Sequence, residues 1–224
     1  MLYPSLLQMN VVQILLSIVA TIMAIFIAMP FHEFAHAFAA KHEGDYTAVA
    51  MKRYTLAPLA HFDLKGFICL FLFRFGWAKP VPIDSRNFKR GRKSMFLVSI
   101  AGILTNLILG IIFLFIYMLF IRFCPQFLVN NLYGQLLNEF LTISVSFNFM
   151  LVFFNLLPIY PLDGYNLISS LCRTENAFLT FMKKYSFIIY LVLILTGAYM
   201  IYYTYTAGLL MEGLIKLFSL ILGL

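Results

Sequence analysis

The residues of this chain best suited to chemistry lie in Phe31-His32-Glu33-Phe34-Ala35-His36-Ala37, at the end of an apolar run that begins near Val11. On a helix His32 and His36 stand four positions apart, so both imidazoles project from one face about one turn apart. That is the spacing two zinc ligands need. Glu33 is one position on, about 100° around the helix. There a carboxylate can take a proton from water at a metal without occupying a coordination position, which makes it the candidate general base. The plainer reading treats the histidines as core side chains satisfied by neighbours. In lipid that is costly, because ionisable groups inside a spanning segment are rare and mark a site or a pathway.

A second carboxylate stands in Asn155-Leu156-Leu157-Pro158-Ile159-Tyr160-Pro161-Leu162-Asp163-Gly164. Asp163 lies in a proline-interrupted membrane segment, and non-helical backbone at that depth is tolerated only where it is buried in protein or lines a wet cavity. Taken alone, Asp163-Gly164 reads equally as a helix-terminating turn at the interface. A third ligand is what His32 and His36 lack, since catalytic zinc has three protein ligands and an open position.

The elements that must position these groups belong to a membrane. The chain has 224 residues, 62% hydrophobic and 11% charged, against about a quarter charged in soluble domains. Residues 1–224 read as a single all-α polytopic membrane domain of four to five spanning helices with a re-entrant segment, and the N-terminal apolar stretch as retained rather than cleaved. Val11 to Met29 crosses about 30 Å of hydrocarbon, and its periodicity runs on through the motif to Ala40. Ser94–Ile121, Leu136–Leu157 and Ser186–Tyr205 supply further crossings, with Leu209–Leu224 a short fifth crossing or a surface helix. Leu64–Gly76 has an uncharged core, Gly66 to Phe73, that is too short to span and is bracketed by Lys65 and Arg74, so it reads as re-entrant or interfacial, followed by a basic loop anchored at Trp77. Tyr46–Leu56, rich in β-formers, predicts a short strand or hairpin.

Charge sets the orientation. Eleven of the 16 basic residues lie between Lys41 and Lys93 and three between Arg173 and Lys184, with Arg122 and Lys216 on the opposite side. The positive-inside rule puts the N-terminus outside and the motifs toward the cytoplasm, and it accounts for the net charge of +7 without nucleic acid. The run Arg86, Lys89, Arg90, Arg92 and Lys93 reads as a solvated stretch facing lipid headgroups. His42 and His61 read as interfacial side chains rather than ligands, and Cys69, Cys124 and Cys172 as core residues rather than a disulfide framework.

With both motifs in view, the sequence resembles the site-2 protease family of intramembrane zinc metalloproteases. His32-Glu33-Phe34-Ala35-His36 matches its first motif and Asn155 to Gly164 its second, N-x-x-P-x-x-P-L-D-G; Phe75 to Pro82 is similar to a segment of small prokaryotic members. The resemblance implies His32, His36 and Asp163 as ligands of one zinc per chain, Glu33 as general base and Asn155 as a substrate or oxyanion contact. It also implies a plasma-membrane protein whose partners are the bilayer and a transmembrane protein substrate, such as a membrane-anchored regulator already trimmed by another protease. Two departures touch no ligand. Ala101-Gly102-Ile103-Leu104-Thr105-Asn106 stands where small members have Ala-Gly-Pro-x-x-Asn, and His61-Phe62-Asp63-Leu64 where they have His-x-Asp-Pro. The competing function class is a membrane metal-ion carrier built on the same three ligands, which has no use for Glu33 or Asn155.

Overall fold

The computed structural model describes residues 10–73, 78–174 and 176–224. Helix α1 (Val11–His42) starts from a reciprocal cap in which the side chains of Asn10 and Gln13 each accept the other's backbone N–H, and it runs unbroken through Pro30. At 1.5 Å per residue its 32 residues cover about 48 Å. Its buried side chains include Ala20, Ala24, Ala28, His32, His36 and Ala40, a stripe at every fourth position. Helix α4 (Arg92–Phe123) repeats that spacing with Ser94, Val98, Gly102, Asn106 and Gly110, continued by Leu114 and Met118. Small residues on both helices let the backbones approach. In lipid this close packing drives association, because an apolar face gains nothing by leaving the acyl chains. Helix α6 (Leu132–Asn155) closes the three-helix seam with Ser144, Asn148 and Val152.

Contacts set the directions. The Val98 carbonyl meets His36 while Asn106 meets His32 and Ala28, so α4 runs antiparallel to α1. Ser17 donates to Glu139 near the start of α6, so α6 runs parallel to α1. Helix α10 (Ala198–Leu222) packs outside α4 and α6. Its Tyr199 and Tyr203 hydroxyls donate to the Met150 and Ser146 carbonyls, and Arg122 Nε donates to the Leu222 carbonyl at its far end. Among the described residues four helices, α1, α4, α6 and α10, are each long and apolar enough to cross a membrane, and the pair α8 (Ala177–Lys184) and α9 (Ser186–Leu195), bent by 67°, is so only when its two helices are taken together. The protein is an all-α polytopic membrane protein.

The structure corrects the sequence reading in four places. Tyr46–Leu56 contains no strand: α2 (Thr47–Ala50) is a single turn, started by Asp45 Oδ1, which accepts from both the N–H and the hydroxyl of Thr47. The apolar run Ser186–Tyr205 is not one helix but breaks at Gly197, whose φ of 69° lies in the left-handed region. Leu209–Leu222 is therefore the second half of α10, not a separate surface helix. Among the cysteines Cys124 is exposed and Cys69 and Cys172 half-buried, so none is a core residue.

The re-entrant expectation stands differently. Helix α3 (Leu64–Phe73) has ten residues, and the Lys79 N–H donates to the His61 carbonyl at 2.9 Å, so the chain returns beside the point where it left. The fold thereby keeps the ends of α1 and α6 and the start of α4 on one side. Trp77 lies outside the described residues. Helix α5 (Pro125–Asn130) links α4 to α6 at the other end, and α7 (Asp163–Leu171) follows the proline-containing loop.

Candidate metal centre

His32 and His36 occupy the packing seam itself, 8% and 7% exposed. Each ring is fixed through Nδ1, which faces Asn106 Oδ1 at 2.5 Å in His32 and the Val98 carbonyl at 2.8 Å in His36. Both partners are acceptors, so both Nδ1 atoms carry the proton and both Nε2 atoms present a lone pair. The Asn106 amide has one possible orientation. Its Nδ2 donates to the Ala28 carbonyl and to Asn148 Oδ1, while Asn148 Nδ2 donates to the Ser144 carbonyl. Asn106 and Asn148 are fully buried. The chain Ser144, Asn148, Asn106, His32 thus settles the tautomer of the first histidine from three helices.

Gly102 makes room for the rings. A Cβ there would stand 2.5 Å from His36 Nε2 and 2.6 Å from His32 Cε1. Opposite the rings, Asp163 enters as the first residue of α7, brought there by the loop that follows α6. Gly164 serves the same end by close approach, since a Cβ on it would fall 2.5 Å from the Leu156 and Leu157 carbonyl oxygens.

Three acceptor atoms now face one another. His32 Nε2 and His36 Nε2 are 3.0 Å apart, and Asp163 Oδ2 lies 3.4 and 3.2 Å from them. With the protons on Nδ1, nothing donates to Asp163 Oδ2, which is buried and without a hydrogen bond. Three converging lone pairs repel unless a cation lies between them. Tetrahedral zinc with ligand bonds of 2.0–2.1 Å requires ligand separations of about 3.3–3.4 Å. The donor set, its spacing and its orphaned carboxylate oxygen therefore fit zinc, held by His32, His36 and Asp163.

Glu33 stays outside this triangle. Its Oε2 accepts the Val81 backbone N–H at 2.7 Å, a donor supplied by the extended strap 78–84. The strap is tied down by Arg53, whose guanidinium donates to the Lys79 and Pro80 carbonyls, and by Asp45, which accepts from the Asp84 N–H and from Asn87. Burial of Asp45 opposes its ionisation, but hydrogen bonds from Thr47, Asn87 and two backbone N–H groups outweigh it and hold the carboxyl below the usual range. At the end of α1, Glu43 binds Arg90 and Ser94; these hydrogen bonds, the Arg90 one foremost, pull its carboxyl down to about 2. That pairing clamps α1 to the start of α4, and it shows that Arg90 is not simply solvated.

The triangle, Glu33, Val81 and Asn155 border one cavity of about 350 Å³. Asn155 reaches it from the last turn of α6 with its Nδ2 donating to the Leu151 carbonyl at 3.0 Å. His42 packs against Phe38, away from the triangle. His61 differs from the interfacial expectation: it is 2% exposed, with Nε2 facing the Thr55 carbonyl. Sequence reasoning assigned no role to Asn106, Asn148 or Gly102. The i+4 spacing of Gly102 with Asn106 and of Ala28 with His32 was the available signal. The Val81 donor is a backbone group, for which the sequence carries none.

The sequence model described as Peptidase family M50 matches residues 20–197. A protein of Bacillus subtilis (strain 168) named "Putative zinc metalloprotease YwhC" is 38% identical over 203 residues, covering 89% of this chain and 91% of that protein. No solved structure matches.

Proposed function

The chain belongs to peptidase family M50, the site-2 protease family, and from that membership together with the site we propose that it hydrolyses a peptide bond within or next to a transmembrane segment of a membrane-anchored protein. It is a metallopeptidase by family; the internal cut and the membrane-embedded substrate are the proposed part. The observation that carries the reading is a carboxylate one residue from a ligand, held out of the ligand triangle by a backbone N–H and bordering the same cavity.

Zinc, when bound, supplies a Lewis acid that polarises the scissile carbonyl and makes water acidic enough to attack near neutral pH. The remaining work falls to the protein. Glu33 takes the proton of the attacking water and returns it to the departing amine. Its Oε2 is engaged by Val81, which leaves Oε1 as the oxygen that carries the proton. Asn155 donates to the developing oxyanion after releasing the Leu151 carbonyl. A helical substrate ties up its carbonyls in internal hydrogen bonds, so the substrate unwinds before it is cut. No strand at Tyr46–Leu56 is available to hold it.

Fourteen basic residues between Lys41 and Lys184, leaving Arg122 aside, lie in segments at the site's end of the bundle in this reading, which puts the site toward the cytoplasm of a plasma-membrane protein. The partners are the bilayer and a transmembrane substrate; nucleic acid has no part in it.

The test is a panel of single-span membrane proteins incubated with wild-type and Glu33→Gln protein. Gln keeps size and hydrogen bonding but removes the base, so cleavage collapses while about one zinc per chain is retained. An Asn155→Ala enzyme keeps its zinc and loses on the order of 10²-fold in turnover. A carrier would instead move metal into proteoliposomes through His32, His36 and Asp163 and give no peptide product. Undiminished cleavage by Glu33→Gln, with contaminating proteases excluded, sinks the mechanism.

A further inference from the structure

Helix α4 has a second face at the site's end of the bundle. Arg92, Lys93, Phe96 and Leu97 fall within about 140° of arc, turned away from the Val98 and Gly102 face that meets the histidines. With Leu171 and Arg173, at and just beyond the end of α7, they line an open groove of about 660 Å³. Among the described residues no acidic side chain lines it. Arg90 at its edge is already engaged by Glu43, and Arg92 Nη1 donates to the Cys172 carbonyl at 2.8 Å, which ties α4 to the chain after α7. Lys93 and Arg173 have no carboxylate partner among the described residues. Below the cations the groove turns apolar: Leu97 is 40% exposed and Leu171 66%. Four residues of helix separate the two levels, a rise of about 6 Å.

We propose that this groove is a binding site for one anionic phospholipid, with the headgroup phosphate on Arg92, Lys93 and Arg173 and an acyl chain along Phe96, Leu97 and Leu171. The order of chemistry along α4, cation then aromatic and aliphatic, is that of an amphiphile entering the bilayer where a spanning helix begins. Clustered guanidinium and ammonium groups hold a phosphate through charge-assisted hydrogen bonds, as basic pockets hold anionic headgroups. An acidic peptide would satisfy the cations and leave the apolar wall uncovered. The bound lipid bridges α4 to the end of the helix whose first residue is Asp163.

Full-length protein in neutral detergent, titrated with phosphatidylglycerol or phosphatidylcholine and followed by native mass spectrometry, tests this. Wild type retains one phosphatidylglycerol in preference to phosphatidylcholine, and excess inorganic phosphate or an acidic peptide fails to displace it. At about 1 kcal/mol for each cation, Lys93→Gln with Arg173→Gln weakens retention about 30-fold. Lys52→Gln with Lys65→Gln removes the same charge elsewhere and leaves retention unchanged. Equal retention of the two lipids, displacement by phosphate or by the peptide, or equal weakening in both double variants would each overturn the proposal. The wild-type selectivity and displacement arms decide the matter even if a variant loses its zinc through misfolding.

Discussion

Asn106 offers the sharpest test of how the centre is built. Replacing it by Leu keeps most of its volume and removes three hydrogen bonds: the acceptor for His32 Nδ1 and the donors to the Ala28 carbonyl and Asn148 Oδ1. The Ala28 carbonyl still has its helical partner, but Asn148 Oδ1 is left buried and unpaired at about 1–3 kcal/mol. His32 Nδ1–H loses the acceptor that fixed its tautomer, so Nε2 is no longer held as the free lone pair. Loss of such a partner weakens metal affinity about 10–100-fold, or about 1.4–2.7 kcal/mol. Asn106→Asp keeps an acceptor for His32 Nδ1 at the same place, and its second oxygen, protonated, donates where Nδ2 did, so affinity stays within about tenfold of wild type. Zinc affinity is read by chelator competition in a Glu33→Gln background, where self-digestion cannot intrude. If the Leu variant binds zinc like wild type, the network does not orient His32. If Asp and Leu lose equally, the role of Asn106 is packing and the tautomer argument fails.

Gly102→Ala places a methyl about 1 Å inside van der Waals distance of two rings that their Nδ1 bonds prevent from sliding. Zinc content by metal analysis falls well below one per chain while helical circular dichroism is retained; a full complement of zinc would mean the rings can move. The Glu43 clamp gives a pH signature. Its carboxyl is lowered to about 2 in the fold by Arg90 and Ser94, so its contribution is fully present above about pH 4.5 and disappears as pH falls toward 2. The gap in thermal midpoint between wild type and Glu43→Gln is therefore constant above pH 5 and narrows below 4.5, and a gap indifferent to pH would refute the assignment. For topology, a single cysteine at Asn87 in a cysteine-free background is labelled only from the cytoplasmic side and one at Asn130 only from outside; labelling of both from one side would overturn the proposed orientation.

The three residues that converge in the candidate site were legible in the sequence because metal chemistry constrains residue type and spacing together: two histidines one turn apart, and a carboxylate in backbone that lipid does not tolerate without cause. The membrane class was legible from composition. Elements whose conformation depends on one local bond were not. Tyr46–Leu56 carries β-formers, yet a strand needs an edge to pair with, and Asp45 offers Thr47 a nearer partner that turns the chain into a helical turn. Ser186–Tyr205 reads as one crossing because hydropathy averages over a window, whereas the break lies in two residues, the left-handed backbone of Gly197 and the Thr196 hydroxyl that accepts the Ala198 N–H. Val81 acts through its N–H, which every residue but proline possesses, so no residue type signals it.

The seam between α1 and α4 is the instructive intermediate case. Hydropathy counts alanine and leucine alike as apolar and passes over Ala20, Ala24 and Ala28, though their spacing continues without a shift into His32, His36 and Ala40. Read by size instead, the stripe says that α1 must be approached closely by another helix along one line, and that the histidines stand on that line. A helix with small residues at the same spacing is then required as partner, and α4 supplies it, with Gly102 where the rings need space and Asn106 one turn further on where a ring needs an acceptor. The ligand geometry is thus set by the same backbone approach that holds the bundle together in lipid. This follows from where the site lies: in a medium that gives no hydrophobic gain for burying a face, close packing is the force available to fix two imidazoles to within a few tenths of an ångström.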